Sequence, residues 1–415
     1  MLTTTCAYFN TFYNAQQYYH QARRLVTNDT LKVDSDYFDK TIEKATSVIV
    51  KYPNCRWVDD ALFMMGVSYY FKGDYPRALE KFDFLLLNYP ESGFYDDVLY
   101  YKGLAYFKQN MSAQAIVALK EVAASKAYRK KAGIILLYIY KKEKNYSALS
   151  EQAQELLKLG LSKKERNEVL GILGESQFNQ KAYTEALKTY NRLLKRTKER
   201  MKRDSLKLKI ARIYLEVGEY DICNNLLESE HAPPFVLLLG DLKIRLDDEE
   251  KAKELYHKVA KDGGADFAAQ AYFKLARLYE ETDSFDKAIA YYDSSLSSSV
   301  IGEYSSEAKK KADVLRRIKE LEEETEDVAK TKFHLAELYF ADLNDLEKAL
   351  GLYRFVVQEY PESRWAPKAL YACFWITKNI IKDDSLAKIL ADELFKKYPD
   401  TEYTISAQKI LSEAR

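Results

Sequence analysis

The chain has 415 residues, 47% of them apolar, which suffices to bury a large core and exceeds what a disordered protein carries. With 14 Gly and 8 Pro against 34 Tyr, it lacks the turn chemistry of a sandwich or barrel built from many short strands, so long helices are expected. The balance of 64 Lys+Arg against 63 Asp+Glu gives no overall pull toward nucleic acid. No apolar run is long enough for a transmembrane span, and four cysteines do not make a disulfide framework.

Ala7 to Leu25 is aromatic-rich with a helical pattern, and a polar loop from Thr27 to Asp36 follows; residues 1–34 are expected to cap what comes after. A repeat then begins. Gly66, Tyr69, Ala78 and Phe82 set offsets of 3, 12 and 16, which return at Gly103/Tyr106/Ala115/Leu119, Gly174/Gln177/Ala186/Tyr190, Ala211/Tyr214/Cys223/Leu227, Gly240/Lys243/Ala252/Tyr256 and Ala276/Tyr279/Ala288/Tyr292. A seventh copy, Ala336/Tyr339/Ala349/Tyr353, has one residue inserted in its turn, and a degenerate hairpin with Tyr138, Tyr140 and Ala148 fits between the second and third.

Small residues at the first and third positions let two helices of a hairpin cross closely, and the aromatic positions are expected to fill the gap toward neighbouring hairpins. Leu62, Met65, Gly66 and Tyr69 share one helical face, Gly73-Asp74 breaks that helix, and Pro90 ends the next. Tyr52-Pro53, Tyr89-Pro90, Tyr360-Pro361 and Tyr398-Pro399 each precede an aromatic by four residues (Trp57, Phe94, Trp365, Tyr403), which is expected to pack under the inter-repeat turn.

Ser294 to Ser306 reads as a Ser-rich spacer before a charged helix, Glu307 to Asp327. The expected division is therefore an array over 35–300, then a spacer helix and second array with a cap over 301–415. In the final repeat Phe374 replaces the small crossing residue, and the helix from Tyr403 is short, as a terminal cap should be.

Residues able to carry chemistry stand apart. His20, His231, His257 and His334 have no Cys or His at metal-ligand spacing, so no metal is expected; Cys223 and Cys373 read as buried small hydrophobes, and Cys55 lies in a polar turn. No GxxxxGK[ST] cradle exists, and no cofactor is expected. The run Glu175 to Ala182 resembles the acid-bearing segment of lytic transglycosylases, but the glycine-rich part that should follow is missing and the repeat already accounts for Gly174, Ala186 and Tyr190.

Charge is uneven along the chain. Lys126 to Arg212 holds 23 Lys+Arg against 9 Asp+Glu, a net of +14, densest at Lys195, Arg196, Lys198, Arg200, Lys202 and Arg203. That stretch reads either as a solvated face with cations at a helix C-terminus or as a docking patch for an acidic partner.

The offsets and the Tyr-Pro turns resemble tetratricopeptide repeats, and Asp36 to Phe107, with Tyr52-Pro53, Arg56-Trp57, Gly66, Gly73-Asp74-Tyr75, Ala78, Tyr89-Pro90 and Gly103, resembles bacterial outer-membrane lipoproteins of the BamD type. The resemblance implies an all-α, right-handed superhelical solenoid of about ten hairpins whose concave groove binds protein or peptide without catalysis. It also implies a lipid anchor at Cys6, holding the chain on the periplasmic face of the outer membrane in envelope or outer-membrane protein assembly. Thr3-Thr4-Thr5 departs from a lipobox and the signal regions are missing, so the expectation is that coding sequence lies upstream. The alternatives are a cytoplasmic adaptor docking an acidic partner on its basic patch and, from another class, a peptidoglycan hydrolase using Glu175.

Overall fold

The computed structural model describes residues 2–27, 30–31, 36–299, 302 and 304–413, and the side chains of 10–26, 36–299, 302 and 304–412. The chain is all-α in the tetratricopeptide manner and forms two compact units, Met1–Val217 and Gly218–Arg415.

The first unit opens with α1 (Leu2–Arg24) and a two-residue antiparallel ladder in which Val26 faces Leu31 and Thr27 faces Thr30. α2 (Asp36–Lys51) packs back on α1, and hairpins follow: α3 (Val58–Phe71) with α4 (Tyr75–Asn88), α5 (Tyr95–Lys108) with α6 (Ser112–Val122), α7 (Arg129–Lys142) with α8 (Tyr146–Leu157), α9 (Lys163–Asn179) with α10 (Tyr183–Arg196), then α11 (Arg200–Val217). The second unit holds α12 (Tyr220–Glu228), α13 (Pro233–Arg245), α14 (Glu249–Asp262), α15 (Ala265–Glu281), α16 (Phe285–Ser298), α17 (Ser305–Glu323), α18 (Val328–Ala341) and α19 (Leu346–Glu359). It ends with α20 (Ala366–Ile376), which runs into a π-helical turn (Thr377–Ile381), then α21 (Asp384–Lys397) and α22 (Glu402–Glu413).

Most hairpin turns place one residue in the left-handed region, and several of the helices that follow begin on a side-chain cap. Gly73 (φ 79°) serves in the α3/α4 turn, while Asn110, Lys144, Lys181, Asp247, Asp283, Asn344 and Lys382 take the same backbone without glycine's freedom. Asp74 accepts from the Arg77 N–H at 3.2 Å to start α4, Asn145 does the same for α8, and Ser162 with Glu165 forms a capping box on α9. Asn344 sits one place later than its counterparts because of the residue inserted in that repeat.

The small positions lie where the helices cross. Ala78, Ala115, Ala186, Ala252, Ala276, Ala288, Ala336 and Ala349 are fully buried. A methyl group added to Gly66 would lie 2.4 Å from Phe82 Cε1, and the equivalent clashes are Gly103 with Leu119 at 2.6 Å, Gly174 with Tyr190 at 2.5 Å and Gly240 with Tyr256 at 2.4 Å. The fourth repeat position packs on the glycine of its own hairpin and also reaches the next one: Phe82 stacks on Tyr101 of α5 at 6.4 Å. In the degenerate hairpin Gly133 supplies the close approach, against Gln152 and Leu156. Tyr69 and Tyr106 are only partly buried, and Arg77 lies 4.8 Å above the Tyr69 ring.

Successive hairpins meet through aromatic pairs. Phe63 stacks on Phe94 at 4.5 Å, Tyr100 meets Tyr128 at 5.1 Å, Phe273 meets Tyr304 at 5.1 Å, Phe333 meets Trp365 at 5.0 Å and Tyr371 meets Tyr403 at 5.8 Å. Three of the four aromatics that follow Tyr-Pro turns take part, and the fourth, Trp57, stacks on Phe12 of α1 at 5.0 Å, with Ala15 and Ala22 of that helix also buried.

One expectation is overtaken. The Ser-rich stretch is not a spacer, because residues 294–298 complete α16: the Ser294, Ser297 and Ser298 hydroxyls donate to carbonyls four residues back, and Ser295 donates to Ala269 O at 2.8 Å. Serine hydroxyls satisfied this way are compatible with helix, and one core runs from Phe273 through Ala308 and Leu315 to Ala407. The expected polar loop over 27–36 includes the Thr27–Thr30 pairing; its residues 28–29 and 32–35 lie outside the described ones.

Candidate docking groove

The basic middle of the chain folds into α7 to α11, and there the first unit has an open groove of about 600 Å³ between the N-terminal halves of α9 and α11 and the C-terminal end of α10. Its floor is apolar: Tyr190, Leu193 and Leu206 are buried, at 2%, 7% and 7% exposure. The rim is cationic, formed by Lys163, Lys164, Arg196, Lys198, Lys202 and Lys209, with two carboxylates, Glu168 and Glu199.

Those two carboxylates are already engaged. Tyr138 of α7 donates its hydroxyl to Glu168, and Lys202 Nζ lies 2.5 Å from Glu199. Lys209 Nζ sits 5.5 Å above the Tyr190 ring, whose phenol is pushed up by burial first and by the Glu175 carboxylate second. Lys163, Lys164 and Lys198 have no ion-pair partner among the described residues, so the rim presents unneutralised positive charge.

The six residues singled out on charge do not act together. Arg196, Lys198 and Lys202 line the groove; Lys195 points to solvent away from it, and Arg200 is fully solvated, 3.9 Å from Asp204. Arg196 donates through Nε to Asn167 Oδ1 at 3.1 Å, tying α10 to α9. Arg203 donates to the carbonyls of Leu194 and Thr197, both at 3.1 Å, and so closes the C-terminal end of α10.

Arg203 has counterparts that sequence reasoning passed over. Arg166 donates to Leu157 O and Leu159 O at 3.0 and 3.2 Å, and Arg129 donates to Ala123 O and Ala124 O at 3.4 and 3.2 Å. Arg166 and Arg203 each stand eight residues ahead of the helix-crossing position, Gly174 and Ala211, and Arg129 stands eight ahead of Leu137, which precedes the left-handed Lys144 by the same seven residues that separate Gly174 from Lys181; that recurrence was the signal available. Part of the basic character is thus helix capping, and the lysines are what remains for a partner. At the start of α9, hydrogen bonds from Lys130 and then Ser162 bring the Glu165 carboxyl down to about 2.

The other sequence candidates are placed as follows. Glu175 is a partly exposed carboxylate paired with Lys141 Nζ at 2.9 Å. His334 bonds Glu337 at 2.8 Å through Nδ1 and packs edge-on against Trp365, and His257 lies against Tyr291. Cys223 and Cys373 are fully buried, which pushes their thiols up to about 11 and about 12; Cys55 is half-buried against the core. Cys6 lies outside the residues whose side chains are described. Among the described residues no cluster of His, Cys, Asp and Glu could hold a metal ion, and no helix is long and apolar enough to cross a membrane.

The second unit has a more open depression of about 690 Å³ lined by Trp365, Lys368 and Tyr403, but its rings are already packed against Phe333 and Tyr371. The α9–α11 groove is therefore the stronger site.

Two tetratricopeptide-repeat family models match the chain, one over residues 60–92, 97–125, 172–196 and 331–363 and the other over 237–304. Among solved structures, the chain is similar to a tetratricopeptide repeat protein from Parabacteroides merdae, with 16% identity, 60% of this chain and 93% of that one covered, and a TM-score of 0.36. It is similar to the C-terminal part of a TPR repeat-containing protein from Cytophaga hutchinsonii, with 15% identity, 70% and 98% coverage and a TM-score of 0.40. It is also similar to the Naa15/Naa10 complex bound to HypK-THB, with 13% identity, 94% and 64% coverage and a TM-score of 0.46. No curated protein matches the chain significantly.

Proposed function

We propose that this tetratricopeptide-repeat protein is a non-catalytic scaffold that docks a protein partner in the groove of α9, α10 and α11. The observation that carries the reading is the pairing of an apolar floor, Tyr190, Leu193 and Leu206, with lysines that have no carboxylate of their own. A photo-crosslinking residue in place of Lys198 should form protease-sensitive adducts in cells, while one in place of the exposed Lys120 of α6 should not. Glutamate at Lys164, Lys198 and Lys202 should remove those adducts. Equal crosslinking at both positions, or adducts indifferent to the charge reversal, would count against docking there.

The finer reading is an outer-membrane lipoprotein facing the periplasm, anchored through Cys6 and serving envelope assembly. Its support is the resemblance carried by Asp36 to Phe107 together with a cysteine at the edge of the first helix. Detergent phase partition of the native protein, with mass spectrometry of its N-terminal peptide, tests it: a diacylglyceryl Cys6 at the mature N-terminus supports the anchor, and Cys6→Ala should then release the full chain. An unmodified N-terminal peptide in the aqueous phase would make the chain a soluble adaptor using the same groove.

A further inference from the structure

The groove has a cause in the repeat register, and the cause says what should occupy it. Three residues ahead of five helix-crossing positions stands the first member of an inter-hairpin aromatic pair: Phe63 before Gly66, Tyr100 before Gly103, Phe273 before Ala276, Phe333 before Ala336, Tyr371 before Phe374. Nine residues ahead stands the second member where a Tyr-Pro turn precedes it: Phe94 before Gly103 and Trp365 before Phe374. In α9 and α11 these two registers hold Gly171, three before Gly174, and Lys202, nine before Ala211. Both residues line the groove.

The groove thus lies where neither register carries a ring and one of them carries no side chain at all. A methyl group added to Gly171 would find only Leu193 Cδ2, at 3.8 Å, whereas the same addition at Gly174, one turn along, would meet Tyr190 at 2.5 Å. The Tyr-Pro of the closed turns is replaced by Thr197-Lys198, and Arg203 takes over the closing of α10. One seam earlier, between α7 and α9, the space beside Ile134, Val169 and Ile172 is about 20 Å³, so an open seam is not a general property of the basic region.

Resting on the docking reading, we infer that the partner segment supplies the absent ring: the groove takes an acidic peptide carrying an aromatic side chain, the ring seated on Tyr190, Leu193 and Leu206 and flanking carboxylates meeting Lys163, Lys164, Lys198 and Lys209. Charge complementarity selects acid on the partner, and the apolar floor selects an aromatic anchor over a bare anion, which would leave that floor unused.

The test uses the full chain and two fluorescein-labelled peptides, EDEWEDE and EDEAEDE, read by anisotropy, with inorganic tripolyphosphate as the anion probe. The tryptophan peptide should bind at least about tenfold tighter than its alanine counterpart, and both affinities should fall as salt is raised. Gly171→Phe with Lys202→Phe, which restores the closed seam, should bring the ratio of the two affinities to about one and raise the melting temperature, showing that the variant folds. Lys198→Glu, an exposed change, should weaken both peptides. Equal affinities of the two peptides for the native chain, or a ratio unchanged in the refilled variant, would overturn the anchor. If Lys198→Glu still weakens both, that result leaves the docking reading standing. Silence of both peptides and of the charge reversal overturns both claims, and tripolyphosphate binding as tightly as the tryptophan peptide would replace the peptide by a phosphate anion.

Discussion

Between α3 and α5, Phe63 and Phe94 stack at 4.5 Å, and Ser92 in the preceding turn donates to Asp59 at 2.8 Å, so that the joint between two hairpins is solid. Between α9 and α11 the same two registers hold Gly171 and Lys202, and a groove of about 600 Å³ stands there. The helices on either side are built alike: Gly66 against Phe82 and Gly174 against Tyr190 are equally close crossings. The difference teaches that a repeat separates two tasks. Closeness within a hairpin depends on the crossing residues, and adhesion between hairpins depends on a different pair of positions, which can be emptied without opening the hairpin.

Five substitutions probe that separation. The largest effect is expected from Gly174→Val, because the first added carbon already falls 2.5 Å from a buried ring; a loss of about 3 kcal/mol should appear as a lower denaturation midpoint with unchanged slope. A wild-type midpoint would break the claim that the crossing is tight under the open groove. Phe94→Ala, at the closed seam, should cost about 2 kcal/mol, since the ring is half-buried and leaves its stacking partner uncovered. The corresponding Lys202→Ala should cost almost nothing, and equal losses at the two positions would erase the contrast between the seams.

Arg203→Ala should cost about 1.5 kcal/mol, because two carbonyls at the end of α10 lose a charged donor; hydrogen exchange should accelerate at the last turn of α10 while α4 is unaffected. A smaller effect of opposite sign concerns Asp60 of α3, whose carboxyl is raised to about 6, mainly by burial and next by the adjacent Asp59. A folded-state value above the unfolded one means that the native chain binds the proton more tightly. Asp60 therefore favours folding most below about pH 4, and that contribution is lost as pH rises toward 6. Asp60→Asn should stabilise the chain by about 1 kcal/mol at pH 7, discounted for its partial solvent exposure, and leave it unchanged at pH 3.5; melts at the two pH values decide.

Much of the fold was legible because helix crossing leaves a rigid trace. Only small residues fit at positions such as Gly66, Gly103, Ala186 and Ala252, and burial follows directly from the recurring offsets. The turns were less legible. Gly73 announces a left-handed residue, but Lys144 and Lys181 adopt the same backbone with no such marker, since surrounding hairpin contacts impose it. The Ser-rich stretch misled for a related reason: serine disfavours helix by offering the backbone other partners, and here those hydroxyls are turned onto carbonyls within or beside α16.

The candidate site was half legible. Charge counting found the right neighbourhood at Lys195 to Arg203 but could not separate Arg203, which closes a helix, from Lys198, which faces a groove, because both are cations in one short run. Gly171 and Lys202 look unremarkable as single residues and acquire meaning only against the stacked pairs at the same registers.

What the sequence determined by itself is therefore the hairpin: its period, its crossing residues and the buried face of each helix, all enforced locally by steric fit over a few turns. What only the tertiary structure decided is where neighbouring hairpins fail to close and which lysines are left without a carboxylate. Those depend on side chains from three different helices meeting at one place, and no local pattern records that meeting.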